Sequence, residues 1–203
     1  MARTGRPRIF DRDEALLKAM MLFWEQGYEA TSLLQLRADM GNISAASFYA
    51  AFESKEALFK EAVEQYMGTF GRVTESLADH TLTPREAIET TLRRTAKMQT
   101  DSDHPNGCLI VLSASTCSSK NNHIREIVAE KRKQIRSHLQ DCIQRAIDVG
   151  EIPSSMDVSM MTTVFDTFMH GISTQARDGV PFATIDRAIT EVMGIWELFK
   201  HSA

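Results

Sequence analysis

Apolar residues recur every three or four positions along most of the chain, and this period predicts helices. Residues 12–26 carry such a stripe and stop at Gly27, a residue type that commonly ends a helix. Residues 55–79 carry another stripe and predict one long helix. No segment shows the strict alternation of apolar and polar residues that marks a strand. We therefore predict an all-α fold.

Loop signals divide the remaining chain into further helices. Residues 83–86, Thr-Pro-Arg-Glu, form a capping box with proline in the first helical position, so a helix starts there and runs to about residue 100. Breaks follow at residues 101–107, 118–122 and 150–153. The pattern predicts about nine helices, with three in an N-terminal unit and six behind it.

Two short helical segments near the N-terminus, residues 31–40 and 45–52, are joined by Asn42-Ile43-Ser44. Asparagine tolerates the positive φ of a tight turn, and Ser44 is suited to cap the second helix. Two short helices joined in this way are typical of a helix-turn-helix, which places the start of its second helix in the major groove of DNA. The alternative is a plain corner between two helices of a bundle.

The second helix of this pair offers small and hydroxyl-bearing side chains at its start. Residues 45–47, Ala-Ala-Ser, let the helix approach base edges closely, and serine can bond to either partner of a base pair. Tyr49 lies where its hydroxyl can reach a phosphate. Ser54 is a candidate cap for the next helix and puts Lys55 in its first turn, which is a good phosphate site.

The chain has 203 residues and a formal net charge of −4, which at first argues against a nucleic-acid partner. The distribution of charge matters more than the sum. Arg3, Arg6, Arg8 and Arg12 stand near the N-terminus against Asp11, so a basic arm is localised at one end. Such arms reach the minor groove or the backbone of DNA, whereas the alternative is a disordered, solubilising tail.

No run reaches the roughly 18 apolar residues that span a membrane, and the basic N-terminus lacks the apolar stretch of a secretory signal. The three cysteines, an odd number without a CxxC motif, favour a reducing compartment. We therefore predict a cytoplasmic protein with no membrane partner. The six histidines are scattered, and only His104 lies close to a cysteine, so we predict no metal site.

A set of short motifs occurs in order over about the first sixty residues: Gly5-Arg6-Pro7, Gly27-Tyr28, Thr31-Ser32, Tyr49-Ala50-Ala51-Phe52 and Ser54-Lys55-Glu56-Ala57-Leu58. In this order and spacing they resemble the DNA-binding segment of the TetR/AcrR family of transcriptional regulators. The chain departs from the usual pattern at Asn42-Ile43, where the family has Gly-Val, and at Ala45, where Lys or Arg is common.

The resemblance implies a DNA-binding head over residues 1–54 and an effector-binding and dimerisation domain over residues 55–203. It implies a homodimeric repressor on a palindromic operator of double-stranded DNA, released by an unknown small-molecule effector. The predicted DNA contacts are Arg3, Arg6, Arg8, Thr31, Ser32, Ser44, Ala45, Ala46, Ser47, Tyr49 and Lys55. The predicted dimer interface lies on the last two helices and contains Phe168, Ile172, Ile189, Met193 and Trp196.

The resemblance also implies a ligand pocket among the middle helices, with ordinary core packing as the alternative for each lining residue. Cys108 follows a Pro-Asn-Gly turn at a predicted helix start, where the helix dipole favours the thiolate. The runs Gly107-Cys108-Leu109, Gly150-Glu151-Ile152-Pro153 and Ala176-Arg177-Asp178-Gly179 resemble one subgroup of the family. Some members of that subgroup use a cysteine at this place to sense electrophiles or oxidants; the alternative is a small buried hydrophobic side chain. The predicted pocket residues are Tyr66, Phe70, Met98, Cys108, Leu112, Phe165 and Met169.

An enzyme is the main rival function, since Cys108 with His104 or His123 would supply a thiol nucleophile and its base. No third group orients such a pair, and the basic arm and the helix-turn-helix would stay unexplained. A second rival, an all-α protein-interaction module, predicts no salt-dependent binding to duplex DNA. We therefore predict a regulator that is not an enzyme and uses no cofactor, with the effector, the operator and the choice between repression and activation left open.

Overall fold

The structure is a computed structural model that describes residues 10–115 and 117–200, with side chains as far as residue 198. Within those ranges the chain forms nine α-helices, two 3-10 helices and no strand, which confirms the all-α fold. The α-helices are α1 Arg12–Gln26, α2 Leu33–Asp39, α3 Ala45–Phe52, α4 Lys55–Gly68, α5 Pro84–Gln99, α6 Leu109–Leu112, α7 Asn122–Asp148, α8 Val158–Arg177 and α9 Phe182–Lys200. The 3-10 helices are Phe70–Ala78 and Ser119–Asn121. The predicted DNA contacts Arg3, Arg6 and Arg8 lie outside the described residues.

Side-chain caps explain where most of the helices begin. The hydroxyls of Ser44 and Ser54 accept hydrogen bonds from the backbone N–H groups of Ser47 and Ala57, so both are N-caps as predicted. Thr83 forms the predicted capping box at the start of α5. These bonds satisfy amide groups that would otherwise have no partner in the first turn.

The single helix predicted over residues 55–79 is wrong. It ends as an α-helix at Gly68, because Thr69 leaves helical geometry with φ −125° and ψ −90°. The Thr69 hydroxyl instead donates to the carbonyl of Gln65 at 2.7 Å. The chain then continues as the 3-10 helix. Its Ser76 hydroxyl forms a buried hydrogen bond of 2.7 Å with the hydroxyl of Thr91 on α5. Apolar periodicity is similar in both kinds of helix, so the pattern did not reveal the break.

Two clusters of buried side chains make up the core. The first joins α1–α4 to α6 and the start of α7, and its large members include Phe23, Trp24, Phe48 and Phe59. The second is formed mainly by α5, α7, α8 and α9. Because α4 contributes Phe59 to the first cluster, the predicted division at residues 54 and 55 does not coincide with a gap in packing. The division therefore stays a prediction about function.

Four of the five predicted dimer-interface residues lie inside the protomer. Ile172, Ile189, Met193 and Trp196 are at most 2% exposed and belong to the second cluster. Side chains without exposed surface cannot bury more of it against a partner, so these four predictions are wrong. Phe168 alone is only partly buried. The sequence showed that α8 and α9 are rich in apolar residues, and the structure shows that the inner faces hold most of the large ones.

Candidate DNA-binding surface and effector cavity

The turn between α2 and α3 is fixed by backbone and side-chain hydrogen bonds. Asn42 adopts the positive φ that the sequence predicted, at 61°. Arg37 holds the turn from both directions: its guanidinium Nε donates to the carbonyl of Ile43 at 2.9 Å, and its own carbonyl accepts from the Ile43 N–H at 3.2 Å. The start of α3 is thereby held in a defined direction relative to α2.

The outer face of α3 carries the residues predicted to contact DNA. Phe48 and Phe52 point inward and are at most 1% exposed, whereas Tyr49 is 50% exposed. The Ser44 hydroxyl accepts from the Ser47 amide at 3.0 Å and lies 2.9 Å from the Ser47 hydroxyl. The structure thus brings one small, uncharged and exposed surface together, made of Ser44, Ala45, Ala46, Ser47 and Tyr49.

Thr31 and Ser32, both predicted to contact DNA, have different environments. Thr31 is fully buried, and its hydroxyl donates to the carbonyl of Gly27 at 2.7 Å. The DNA contact predicted for Thr31 is therefore wrong, because the side chain stabilises the connection between α1 and α2 from inside. Ser32 is exposed at the start of α2, where it forms a capping box with Gln35.

Lys55 lies at the start of α4, as predicted, but it is partly buried. Its ammonium group sits 4.2 Å from the centre of the Tyr28 ring in a cation–π contact. Burial lowers the pKa of Lys55, and the carboxylate of Glu29 acts against that shift. The Tyr28 ring therefore restricts the positions from which the ammonium group can reach a phosphate.

An interior cavity of about 40 Å³ lies between α4, the 3-10 helix after it, and α5–α8. Of the predicted pocket residues, Tyr66, Met98, Cys108 and Met169 line it. Phe70, Leu112 and Phe165 do not: Phe70 packs on Trp24 and His104, Leu112 lies beside Gly107, and Phe165 packs on Trp196 in the second cluster. Sequence reasoning missed most of the polar part of the lining, which includes Thr74, Thr95, Gln99, Arg132 and Asp166; His170 also lines the cavity.

The sequence did contain a signal that Thr95 and Gln99 line a cavity, namely their position on α5. They are one turn apart on α5 and share its buried face with Leu92 and Ala96, where a polar side chain needs an explanation. Arg132, Asp166 and His170 gave no comparable signal, because charged residues are common on the helices that carry them.

Cys108 reaches the cavity but does not have the environment of an activated thiol. The Tyr66 hydroxyl donates to its sulfur at 3.4 Å, and its own backbone N–H donates to the Ser173 hydroxyl at 2.9 Å. Burial raises the pKa of Cys108, and the Tyr66 bond and the Arg132 charge only partly oppose that shift. The backbone N–H groups of Ile110 and Val111 at the start of α6 do lower the pKa, in the predicted direction, but burial outweighs them. The net effect therefore favours the neutral thiol.

Neither histidine proposed as a base for Cys108 is placed to act on it. His104 stacks on Trp24 with ring centres 4.6 Å apart, and its Nδ1 contacts the Pro105 carbonyl. His123 lies 3.3 Å from the carboxylate of Glu56. The thiol and base that an enzyme of this kind requires are therefore not paired.

The described residues between Gly107 and Ser118 link the cavity with the predicted DNA-binding head; we call them the connecting segment. At its start the Trp24 indole N–H donates to the carbonyl of Gly107 at 3.1 Å. In its middle the Tyr28 N–H donates to the carbonyl of Ser113 at 2.7 Å. The cavity residue Tyr66 also packs edge-on against Trp24, at 4.9 Å between ring centres. A change at Cys108 or Tyr66 is thus one contact away from α1.

Comparison with known proteins shows which protein family has this architecture. Residues 15–62 match the pattern of "Bacterial regulatory proteins, tetR family", and residues 84–192 match "Tetracyclin repressor-like, C-terminal domain". The chain belongs to the TetR family. The predicted resemblance is confirmed, and the two matches together cover the helix-turn-helix and the helices α5–α8 beside the cavity.

Individual relatives in the TetR family agree along nearly the whole chain. The HTH-type transcriptional repressor ComR of Escherichia coli (strain K12) is 32% identical over 198 residues, which are 97% of this chain and 94% of ComR. The repressor BdcR of the same strain is 26% identical over 86% of this chain and 83% of BdcR. Among solved structures, the TetR-family regulator CifR, complexed with a 26-base-pair operator DNA, has a TM-score of 0.87 and 36% identity, covering 94% of this chain and 100% of that one. Among the helices described for this protein, none has the length and apolar character needed to cross a bilayer.

Proposed function

We propose that this protein is a homodimeric transcriptional repressor that binds a palindromic operator and is released by a small effector. The observation that carries the proposal is the exposed face of α3, held by capped and hydrogen-bonded turns on a TetR-family scaffold. The operator complex of the similar regulator CifR supports it, as does the description of ComR and BdcR as repressors. A DNA-binding regulator works where the DNA is, so we place the protein in the cytoplasm and assign it no enzymatic activity.

The proposed head divides its contacts between bases and phosphates. Residues 45–47 are small and uncharged, so we assign them to base edges in the major groove. Ser32, Ser44, Tyr49 and Lys55 surround them, and we assign these to phosphates together with the N-terminal arginines. Affinity would then come from the periphery of the surface, and sequence preference from its centre.

The proposed dimer uses the outer faces of α8 and α9. On α8 the side chains of Met160, Val164 and Phe168 form an apolar stripe that is exposed or only partly buried. On α9 Ala188, Val192 and Ile195 form a similar stripe. A two-fold axis across these stripes would place two copies of α3 at half-sites about one DNA turn apart.

Light scattering coupled to size exclusion tests the dimer. We expect a dimer at micromolar concentration and a monomer for Phe168→Glu, because a carboxylate would be buried in an apolar interface. Gln140→Glu adds the same charge at an exposed position of α7 and should stay dimeric. A monomeric parent protein would contradict the proposal.

Release of DNA would run through the connecting segment. A ligand in the cavity changes the surroundings of Cys108 and Tyr66, and the hydrogen bonds to Trp24 and Tyr28 transmit that change to α1. An effector shifts the population only if it binds the two arrangements of the dimer with different affinity. The tight packing around Trp24 supports a head that moves with this segment.

The sharpest test of the proposed function is selection of bound sequences from random duplex DNA. We expect an inverted repeat and binding that weakens steeply as salt rises. Ser47→Ala should alter the preferred sequence, whereas Tyr49→Phe should weaken selected and random DNA alike by losing a phosphate contact. A selected pool without a common sequence motif would contradict the proposal. Equal effects of Ser47→Ala on the binding of selected and random DNA would contradict the proposal that α3 contacts the base edges.

A second candidate function is a repressor released by covalent modification of Cys108. It is favoured by the position of the sulfur in the cavity wall, within 3.4 Å of the Tyr66 hydroxyl. The raised pKa argues against it, because little thiolate is present at neutral pH. Cys108→Ser decides between the two: loss of release by a thiol-reactive compound supports the covalent mechanism, and unchanged release refutes it.

A further inference from the structure

The cavity lining contains two buried polar side chains whose oxygen atoms have no hydrogen-bond partner among the described residues. Thr95 and Gln99 are 2% and 3% exposed, and within the described ranges neither the Thr95 hydroxyl nor the Gln99 Oε1 atom is paired. Buried polar atoms normally find a partner, and leaving one unpaired costs stability. Both side chains line the cavity, so a bound molecule is placed to supply the missing partner.

A positive charge lies in the same cavity wall. Arg132 is partly buried, and among the described residues its guanidinium makes one hydrogen bond, from Nη1 to the carbonyl of Ile110 at 2.6 Å. In the described part of the chain it forms no ion pair; the nearby carboxylate of Asp166 is paired with Arg136 at 2.9 Å. Burial lowers the pKa of Arg132, and the carboxylate of Asp166 acts against that shift. A carboxylate would pair with it in the planar, two-pronged manner that guanidinium favours.

The charges that face Arg132 leave this end of the cavity positive. Asp166 carries the one negative charge among the lining residues, and Arg136 neutralises it from outside the cavity. His170 lies 3.9 Å from the same carboxylate and adds no negative charge. An anion entering the cavity is therefore attracted to Arg132, and Thr95 and Gln99 line the same cavity.

The size and apolar lining of the cavity restrict the ligand further. A volume of about 40 Å³ holds roughly three water molecules. The rest of the wall includes Met67, Met98 and Met169, whose flexible side chains can admit a few more atoms. Both limits favour a small organic molecule over a drug-sized one.

We propose that the effector is a short-chain carboxylate that carries a hydroxyl group, with its carboxylate on Arg132 and its hydroxyl between Gln99 and Thr95. A hydroxyl both donates and accepts, so it satisfies the Gln99 amide in either orientation of that group. The inference rests on the proposal above that this cavity is the effector site. The specificity-determining residues are Arg132 for the charge and Gln99 for the hydroxyl.

The test uses lactate as the probe, with propionate and lactamide as analogues that lack its hydroxyl and its charge. Calorimetry on the full-length protein measures binding at ligand concentrations up to about 50 mM, well above a dissociation constant of about 1 mM. Sodium chloride keeps the ionic strength constant. We expect lactate to bind about tenfold more tightly than either analogue. Each analogue loses one interaction, either the bond to the charged guanidinium or the bond to the buried amide, and a bond of either kind contributes a factor of about that size.

Variants assign each preference to its residue. Arg132→Gln should abolish the preference for lactate over lactamide, and Gln99→Leu the preference for lactate over propionate. Lys133→Gln removes the same charge from an exposed position next to Arg132 and should change neither. If Arg132→Gln does not fold, Arg132→Lys is the second variant, since it keeps the charge without the two-pronged geometry. It should weaken the binding of lactate and leave the binding of lactamide unchanged.

Fluorescence anisotropy with the selected operator separates the two proposals. Lactate binding with these preferences but without release of DNA would overturn effector-controlled repression and leave the ligand class standing. DNA binding to an inverted repeat with no lactate binding, or with equal binding of all three probes, would overturn the ligand class alone.

Discussion

Replacing Gly107 with alanine should destabilise the protein through two separate effects. The residue has φ +82°, a conformation that costs an alanine about 1 kcal/mol. A Cβ there would also lie 2.6 Å from Cδ1 of Leu112 and 2.9 Å from the backbone oxygen of Ser173. The Leu112 methyl can move, but the Ser173 carbonyl belongs to α8, so the connecting segment must shift.

The steric part of the Gly107→Ala effect should add about 1–3 kcal/mol, the usual range for overpacking. The total of about 2–4 kcal/mol corresponds to a midpoint of thermal unfolding lower by about 5–15 °C for a chain of this size. Urea unfolding at one fixed protein concentration measures the free energy of unfolding directly, since the stability of the proposed dimer would depend on concentration.

Gly150→Ala is the matched control for this prediction. Gly150 has φ +76°, and a Cβ there would meet no atom within 4 Å, so it reports the backbone cost alone. The difference between the two variants isolates the contact with Leu112 and Ser173. If Gly107→Ala and Gly150→Ala lower the free energy of unfolding equally, within about 0.5 kcal/mol, the proposed close packing of the connecting segment is refuted.

Three further predictions concern the head, the thiol and the link between them. Thr31→Val should lower the free energy of unfolding by about 1–3 kcal/mol, because it leaves the Gly27 carbonyl without its buried donor, whereas Thr31→Ser keeps the hydroxyl and should cost little. Neither variant should change the preferred DNA sequence. A shifted preference in DNA selection would show that Thr31 contacts DNA after all. In a variant without the other two cysteines, the rate of alkylation of Cys108 should rise with pH through a pKa above the ordinary thiol value, since burial favours the neutral form; a midpoint below that value would contradict this environment. Trp24→Phe keeps the ring but removes the donor to the Gly107 carbonyl, so effector-induced release should weaken more than operator affinity does; equal losses in anisotropy titrations would mean that the bond only stabilises the head.

The recognition unit is the part that local sequence determined best. Asn42 and Ser44 act within a few residues of themselves, by adopting a positive φ and by capping a helix. The apolar period separated buried Phe48 from exposed Tyr49 on α3 for the same reason. Such features depend on the chain's immediate neighbours and are visible in a single sequence.

The proposed effector cavity and the proposed dimer face depend on contacts between residues far apart in the chain. Arg132 became a cavity residue because α7 passes the α5 side chains Thr95 and Gln99, and no local pattern records that approach. In the same way, packing against α5 turned the large apolar side chains of α9 inward, so Trp196 is core.

The sequence by itself determined the helical class, the helix-turn-helix and the family, because periodicity, caps and short motifs are local. Tertiary structure alone decided which apolar faces are buried, that Thr31 supports the head from within, and that desolvation sets the character of Cys108. Burial is a property of the whole fold, since it depends on which distant helices cover a side chain.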